Sequence, residues 1–142
     1  MTIAQALKEK NKKVATLQKL WERMQKYNSI QEGAERPYST AEIFAQIGEV
    51  SADLILLKAK IHSASELVRS DIFALSEFKN IAQRIKGIDC TTGTQVERYS
   101  STTFQKTAEL SITWQDRELA AIEDKIESIQ ERLDKFNHTT EI

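Results

Sequence analysis

One proline, four glycines, one cysteine and two histidines are scattered through 142 residues. So little Pro and Gly excludes collagen-like and linker-rich chains. A single thiol, Cys90, cannot close an intramolecular disulfide, and one thiol with two separated histidines cannot build a Cys/His zinc site. A reducing compartment, hence the cytoplasm, is the matching expectation. No apolar run reaches the roughly 18 residues a membrane-spanning helix needs. Met1 to Lys13 also lacks the apolar core that follows the charges of a secretory signal. A charge of one sign is missing too. Twenty Lys and Arg stand against 21 Asp and Glu, leaving −1, unlike the strongly basic balance of a dedicated nucleic-acid binder. These absences point to one soluble domain over residues 1–142, with neither a membrane nor a specific nucleic acid as partner.

What the chain does have is apolar spacing of helical period. From Ile3 through Leu7, Val14, Leu17, Trp21 and Met24, with Lys10 in the one polar gap, the steps alternate four and three residues. That is a heptad seam on a long helix. Leu20 and Tyr27 widen the stripe, and the helix is expected to run to about Asn28. Gly33 and Pro37 then end it, and Ser39 with Glu42 reads as the capping box of a second helix. Its seam is Ile43, Ile47, Val50, Leu54, Leu57 and Ile61, which leaves Phe44, Ile55 and Leu56 outside. Ser70 reads as the N-cap of a shorter third helix lined by Ile72, Leu75, Phe78, Ala82 and Ile85, closed near Lys86 by Gly87 in a left-handed conformation. Residues 88–113 shift to Thr, Ser and Gly with interspersed β-branched and aromatic residues, predicting a long connection holding a short extended pair. Leu119, Ile122, Ile126, Ile129, Leu133 and Phe136 mark the last helix, with Asn137 as its stop. The predicted fold is mainly α, an antiparallel bundle of about four long coiled-coil-like helices. A small β element from the region around Tyr99 to Lys106 and the tail is expected in the C-terminal half.

Helices of about 22 to 26 residues are each roughly 35 Å long. A monomer built from them is a thin rod with a high surface-to-volume ratio, and the apolar residues outside the seams face water or another subunit. A homo-oligomer is therefore the expected state. Charge is unevenly spread. The first helix carries seven cations (Lys8, Lys10, Lys12, Lys13, Lys19, Arg23, Lys26) against Glu9 and Glu22, whereas eight carboxylates from Asp116 onward face four cations. Neighbouring helices, within or between subunits, can use that asymmetry to choose partner and orientation. The alternative use of the basic helix is to track phosphates of a nucleic acid or an anionic membrane surface.

No residue is assigned a catalytic, cofactor-binding or metal-ligating role. His62 and His138 lie at helix ends, where imidazoles commonly cap carbonyls. Glu66 stands four after His62, but no second imidazole-bearing motif completes a ligand set. Cys90 lies in a loop open to solvent, and no identifiable cation or helix N-terminus lowers its pKa, which makes it a bystander thiol. Gly87 and Gly93 do not form a phosphate loop, and no Gly-x-Ser-x-Gly elbow occurs. Trp21 falls on the first seam and reads as core or interface rather than as a ligand anchor.

Four stretches stand out: Ile3-Ala4-Gln5-Ala6-Leu7, the hinge Gln31-Glu32-Gly33 followed by Pro37, the triplet Arg98-Tyr99-Ser100, and the ending Asn137-His138-Thr139-Thr140-Glu141-Ile142, of which the hinge and the ending are not demanded by helix periodicity. Together they resemble the septicolysin-like family of small bacterial proteins, over nearly the whole chain. The chain departs from that pattern at His138, where Trp is usual, and at Ser63 and Ala64, where Thr-Asn is usual. The resemblance implies a mostly helical protein without an established activity, and it transfers no catalytic residue. The cytolysin in the family's name is not carried over, because a name is no warrant for function. Gln31, Glu32, Arg98, Tyr99 and His138 mark either a shared site, assembled between subunits if the protein is an enzyme, or only shared turns and strand pairing.

Overall fold

A computed structural model describes residues 1–142 as four helices, α1 (Ile3–Tyr27), α2 (Thr40–Ala64), α3 (Arg69–Lys86) and α4 (Ile112–Thr139), with two strands, β1 (Gly93–Val96) and β2 (Thr103–Lys106), between α3 and α4. The mainly α expectation, with its small β element in the C-terminal half, holds. Two compact units divide the chain: residues 1–68 with 134–142, and residues 69–133.

In the first unit, α1 and α2 form an antiparallel hairpin. Leu20 packs with Ile43 and Ile47 in a buried cluster flanked by Leu17, Met24 and Val50, and further along Lys13 reaches Asp53 at 3.7 Å. The α1 start is fixed by a capping box: Thr2 Oγ1 accepts the Gln5 amide, and the Gln5 side chain accepts the Thr2 amide. The hinge works as the sequence implies, with Gly33 at φ +83°, a region that costs any residue with a Cβ about 1 kcal/mol or more. Ser39 caps α2 by accepting the Glu42 amide at 3.3 Å, the half of the predicted box that satisfies an orphan donor. Beyond Ala64 the chain passes through one 3-10 turn, Glu66–Val68, straight into α3. Ser70 is thus the second residue of α3 and not its cap, because helical backbone runs into α3 ahead of it and places carbonyls where a cap would be needed.

The unit is closed by its ends. The Ile3 amide donates to Thr140 O at 2.9 Å, and the Ile142 amide donates to Met1 O at 3.0 Å. Thr2 and Glu141 form an antiparallel bridge. The tail therefore pairs with the α1 start and does not join the β element. Helix α4 also runs past Asn137 to Thr139. His138 Nδ1 lies 2.7 Å from Asp134 O, and Thr139 Oγ1 donates to Lys135 O at 2.8 Å, so these side chains hold the last carbonyls that an Asn stop would have left open.

In the second unit, α3 runs antiparallel to residues 112–133 of α4. Arg132 Nη2 donates to Asp71 Oδ1 at 3.0 Å near one end, and Lys125 lies over the Phe78 ring at 5.5 Å further along. The Arg132 bond holds the Asp71 carboxyl below its usual range and the guanidinium above its own. Gly87 does not take the left-handed form. The α3 C-terminus is satisfied otherwise: Gly87 N and Ile88 N donate three residues back, to Arg84 O and Ile85 O, both at 3.1 Å. The Gln115 side-chain amide bonds Ile85 O at 2.7 Å and Ile88 O at 3.0 Å, and with those carbonyls engaged no glycine cap is required. The α4 start is earlier than its seam suggests, because Ser111 Oγ accepts the Trp114 amide at 3.1 Å. Strands β1 and β2 pair Gly93 with Lys106 through Val96 with Thr103, and residues 97–102 form the tip.

Candidate functional site

The hinge residues Gln31, Glu32 and Gly33 join α1 to α2, whereas His138 sits where α4 ends beside the α1 start. The 25 residues of α1 separate these two places by about 37 Å, so one chain does not bring them together. Arg98 and Tyr99 lie at the β-hairpin tip of the other unit, with Tyr99 90% exposed and the Arg98 guanidinium 5.9 Å over its ring. Glu66 lies in the 3-10 turn beyond α2, so its separation from His62 is not a helical ligand spacing. No group of three or more His, Cys, Asp or Glu side chains is placed to hold a metal ion.

Cys90 is buried, at 6% exposure, contrary to the open loop expected for it. The cause is the turn around it. Asp89 accepts Lys106 Nζ at 2.6 Å and the Thr91 amide at 2.9 Å, and also binds the Thr91 hydroxyl. Thr92 Oγ1 accepts the Ala108 amide at 3.2 Å. This network folds the turn against the base of the hairpin. The Lys106 bond and then the Thr91 bonds hold the Asp89 carboxyl far below the usual range.

Three surfaces remain as places where something could bind. The first is a groove of about 420 Å³ beside α1 and α2, whose lining includes Glu9, Lys13, Asp53, Leu56, Lys60 and Ile142. Lys13 bridges Glu9 and Asp53, each at 3.7 Å, and the lining offers no imidazole, thiol or hydroxyl to act as base or nucleophile. The second is the basic face of α1. Lys13 is the only α1 cation in an ion pair, and α2 supplies too few carboxylates to match the rest. Near the α1 end, the Arg23 guanidinium lies 4.9 Å over the Tyr38 ring, Tyr38 packs on Tyr27 at 5.4 Å, and Arg36 donates to Tyr27 O and Asn28 O, both at 2.9 Å. Arg36 thus caps α1 from nine residues away, a role that residue type alone did not reveal. Trp21 belongs to this outer side as well: although it falls on the seam, it is exposed.

The third surface is apolar. Helix α2 buries Ile43, Ile47 and Leu54, yet exposes Phe44 at 58%, Ile55 at 67% and Leu56 at 64%. A helix apolar on two faces normally covers both.

No family model, curated protein or solved structure matches the chain. Its fold and these surfaces define a mainly α protein of helical hairpins, and no helix of it is long and apolar enough to cross a membrane.

Proposed function

We propose that this chain is a cytoplasmic helical scaffold or interaction protein that acts as a homo-oligomer. The exposed Phe44, Ile55 and Leu56 on α2, opposite the face that packs on α1, support this most directly. Large apolar side chains in contact with water cost free energy that burial against another subunit recovers, at about 25 cal/mol per Å². Sedimentation equilibrium at micromolar concentration tests it: a multiple of the 16.2 kDa chain mass is expected, and a constant monomer mass overturns it.

Binding of an anionic partner through α1 is supported by a different observation, the lack of ion pairs at its cations other than Lys13. Non-specific phosphate contact gives dissociation constants of about 10⁻⁴ to 10⁻⁶ M at physiological salt. Fluorescence anisotropy with duplex DNA at that salt is expected to stay in this weak range, consistent with α1 serving protein contacts. Sub-micromolar, sequence-selective binding would make the anionic partner the better function.

A further inference from the structure

Helical period sorts the charges of α1 and of α4 onto one face each. At about 100° per residue, Lys8, Lys12, Lys19, Arg23 and Lys26 fall within an arc of about 60° on α1, along roughly 27 Å of the helix. All five are exposed, on the side away from Leu17, Leu20 and Met24, which pack toward α2. No carboxylate lies inside that arc. Glu22, at its border, accepts the Gln18 side-chain amide at 3.2 Å, and Glu9 is held by Lys13 at 3.7 Å. On α4, Asp116, Glu123, Asp124, Glu127 and Glu131 fall within an arc of about 100° along about 22 Å. These five are exposed too, and they are turned away from Lys125 and Arg132, which meet α3. No Lys or Arg lies inside this second arc, and Arg117, at its border, meets Glu118 at 4.0 Å.

We infer that the acidic stripe of α4 on a second copy of the chain is what the basic stripe of α1 receives. The inference rests on the self-association proposed above and names the faces that meet in it. None of the five α1 cations is in an ion pair within its own chain. Of the five α4 carboxylates only Glu123 meets a cation, Lys86 at 3.9 Å. Both stripes are therefore open, opposite in sign, equal in number and of comparable length. Because the two faces differ, every copy carries both halves of the contact.

Charge complementarity favours a second copy over other occupants. The chain as a whole carries only −1, so the two stripes are the main departures from a balanced surface, and each has its counterpart in the same sequence. A nucleic acid or a foreign acidic helix on α1 would neutralise that stripe and leave the α4 carboxylates repelling one another. A second copy answers both. Each exposed pair adds little by itself, but a row of them on each side fixes which faces meet and excludes α1 against α1 or α4 against α4, where like charges oppose.

The test is a charge swap read by sedimentation equilibrium. One variant carries Lys12→Glu with Lys19→Glu, the other Glu127→Lys with Glu131→Lys; all four positions are exposed and none is in an ion pair, so both variants are expected to keep the wild-type thermal melt. Each variant alone sets like charges across the contact and should self-associate about tenfold more weakly than wild type. Mixed in equal amounts, the two should associate with each other at close to the wild-type constant, because the acidified α1 of one now faces the basic α4 of the other and the two unaltered stripes still match. A wild-type monomer at 16.2 kDa overturns the proposed function and this inference together. A wild-type oligomer that neither variant weakens overturns these faces alone, and so does weakening that the mixture does not repair.

Discussion

At the scale of single residues, burial and hydrogen bonding decide what each reactive group can do. Cys90, with 6% exposure, behaves as a small apolar side chain. A thiol reagent should modify it slowly in the folded protein and at once after denaturation. Replacing it by Ser buries a hydroxyl in its place and should cost about 1 kcal/mol, read as a lowered melting temperature with the sedimentation mass unchanged. Asp89 carries a pH dependence of known sign. Its folded pKa is depressed by Lys106 and Thr91, so its contribution to stability is present above the unfolded value near 3.8 and is lost as pH falls toward the folded one. Carboxyl-detected NMR titration should find it still ionised below the usual aspartate value near 3.8, and Lys106→Met should move it back up toward that value. Turn residues were legible in the sequence where a single chain segment imposes them, as at Gly33 and Ser39. Arg36 and Gln115 were not, because each caps a helix end that only the folded chain brings within reach.

At the scale of elements, period predicts a face but not what covers it. Spacing alone picked out Ile43, Ile47 and Leu54, which are buried. The same spacing included Val14 and Trp21, which stay exposed at 44% and 43%, because the α1–α2 core centres on Leu20 and does not follow the heptad line. The short β pair was legible as composition, but its partners were not: Tyr99 lies in the tip, β1 begins at Gly93, and the tail pairs elsewhere. The inner face of α2 gives the sharpest mutational expectation. Leu54→Asp places a carboxylate in the α1–α2 interface with no cation designed for it, costing several kcal/mol. Loss of cooperative melting by circular dichroism is expected, and an unchanged melting temperature would show the core to lie elsewhere. The same change at Ile55, on the outer face, should leave the melt of the single chain intact.

At the scale of the whole molecule, near-neutral net charge conceals segregation, with cations gathered on α1 and carboxylates on α4. Composition gave the total, but only the fold shows that α1 packs on α2 and that its cations other than Lys13 find no carboxylate there. The pairing of the tail with the start of α1 bears on a different matter, the order in which the protein assembles. Met1 and Glu141 stand 140 positions apart, so this contact closes a very long loop, and each doubling of loop length adds about 0.6 kcal/mol of entropy. The α1–α2 hairpin is local and can form early, whereas the terminal bridge has to come late. Ile142→Pro removes the amide that donates to Met1 O. It should accelerate unfolding about fivefold, for a loss of about 1 kcal/mol, and leave the folding rate in stopped-flow experiments unchanged. Slower folding would instead place the bridge in the transition state. The contact that seals the first unit is thus expected to govern how long the native state lasts, with little influence on how quickly it is reached.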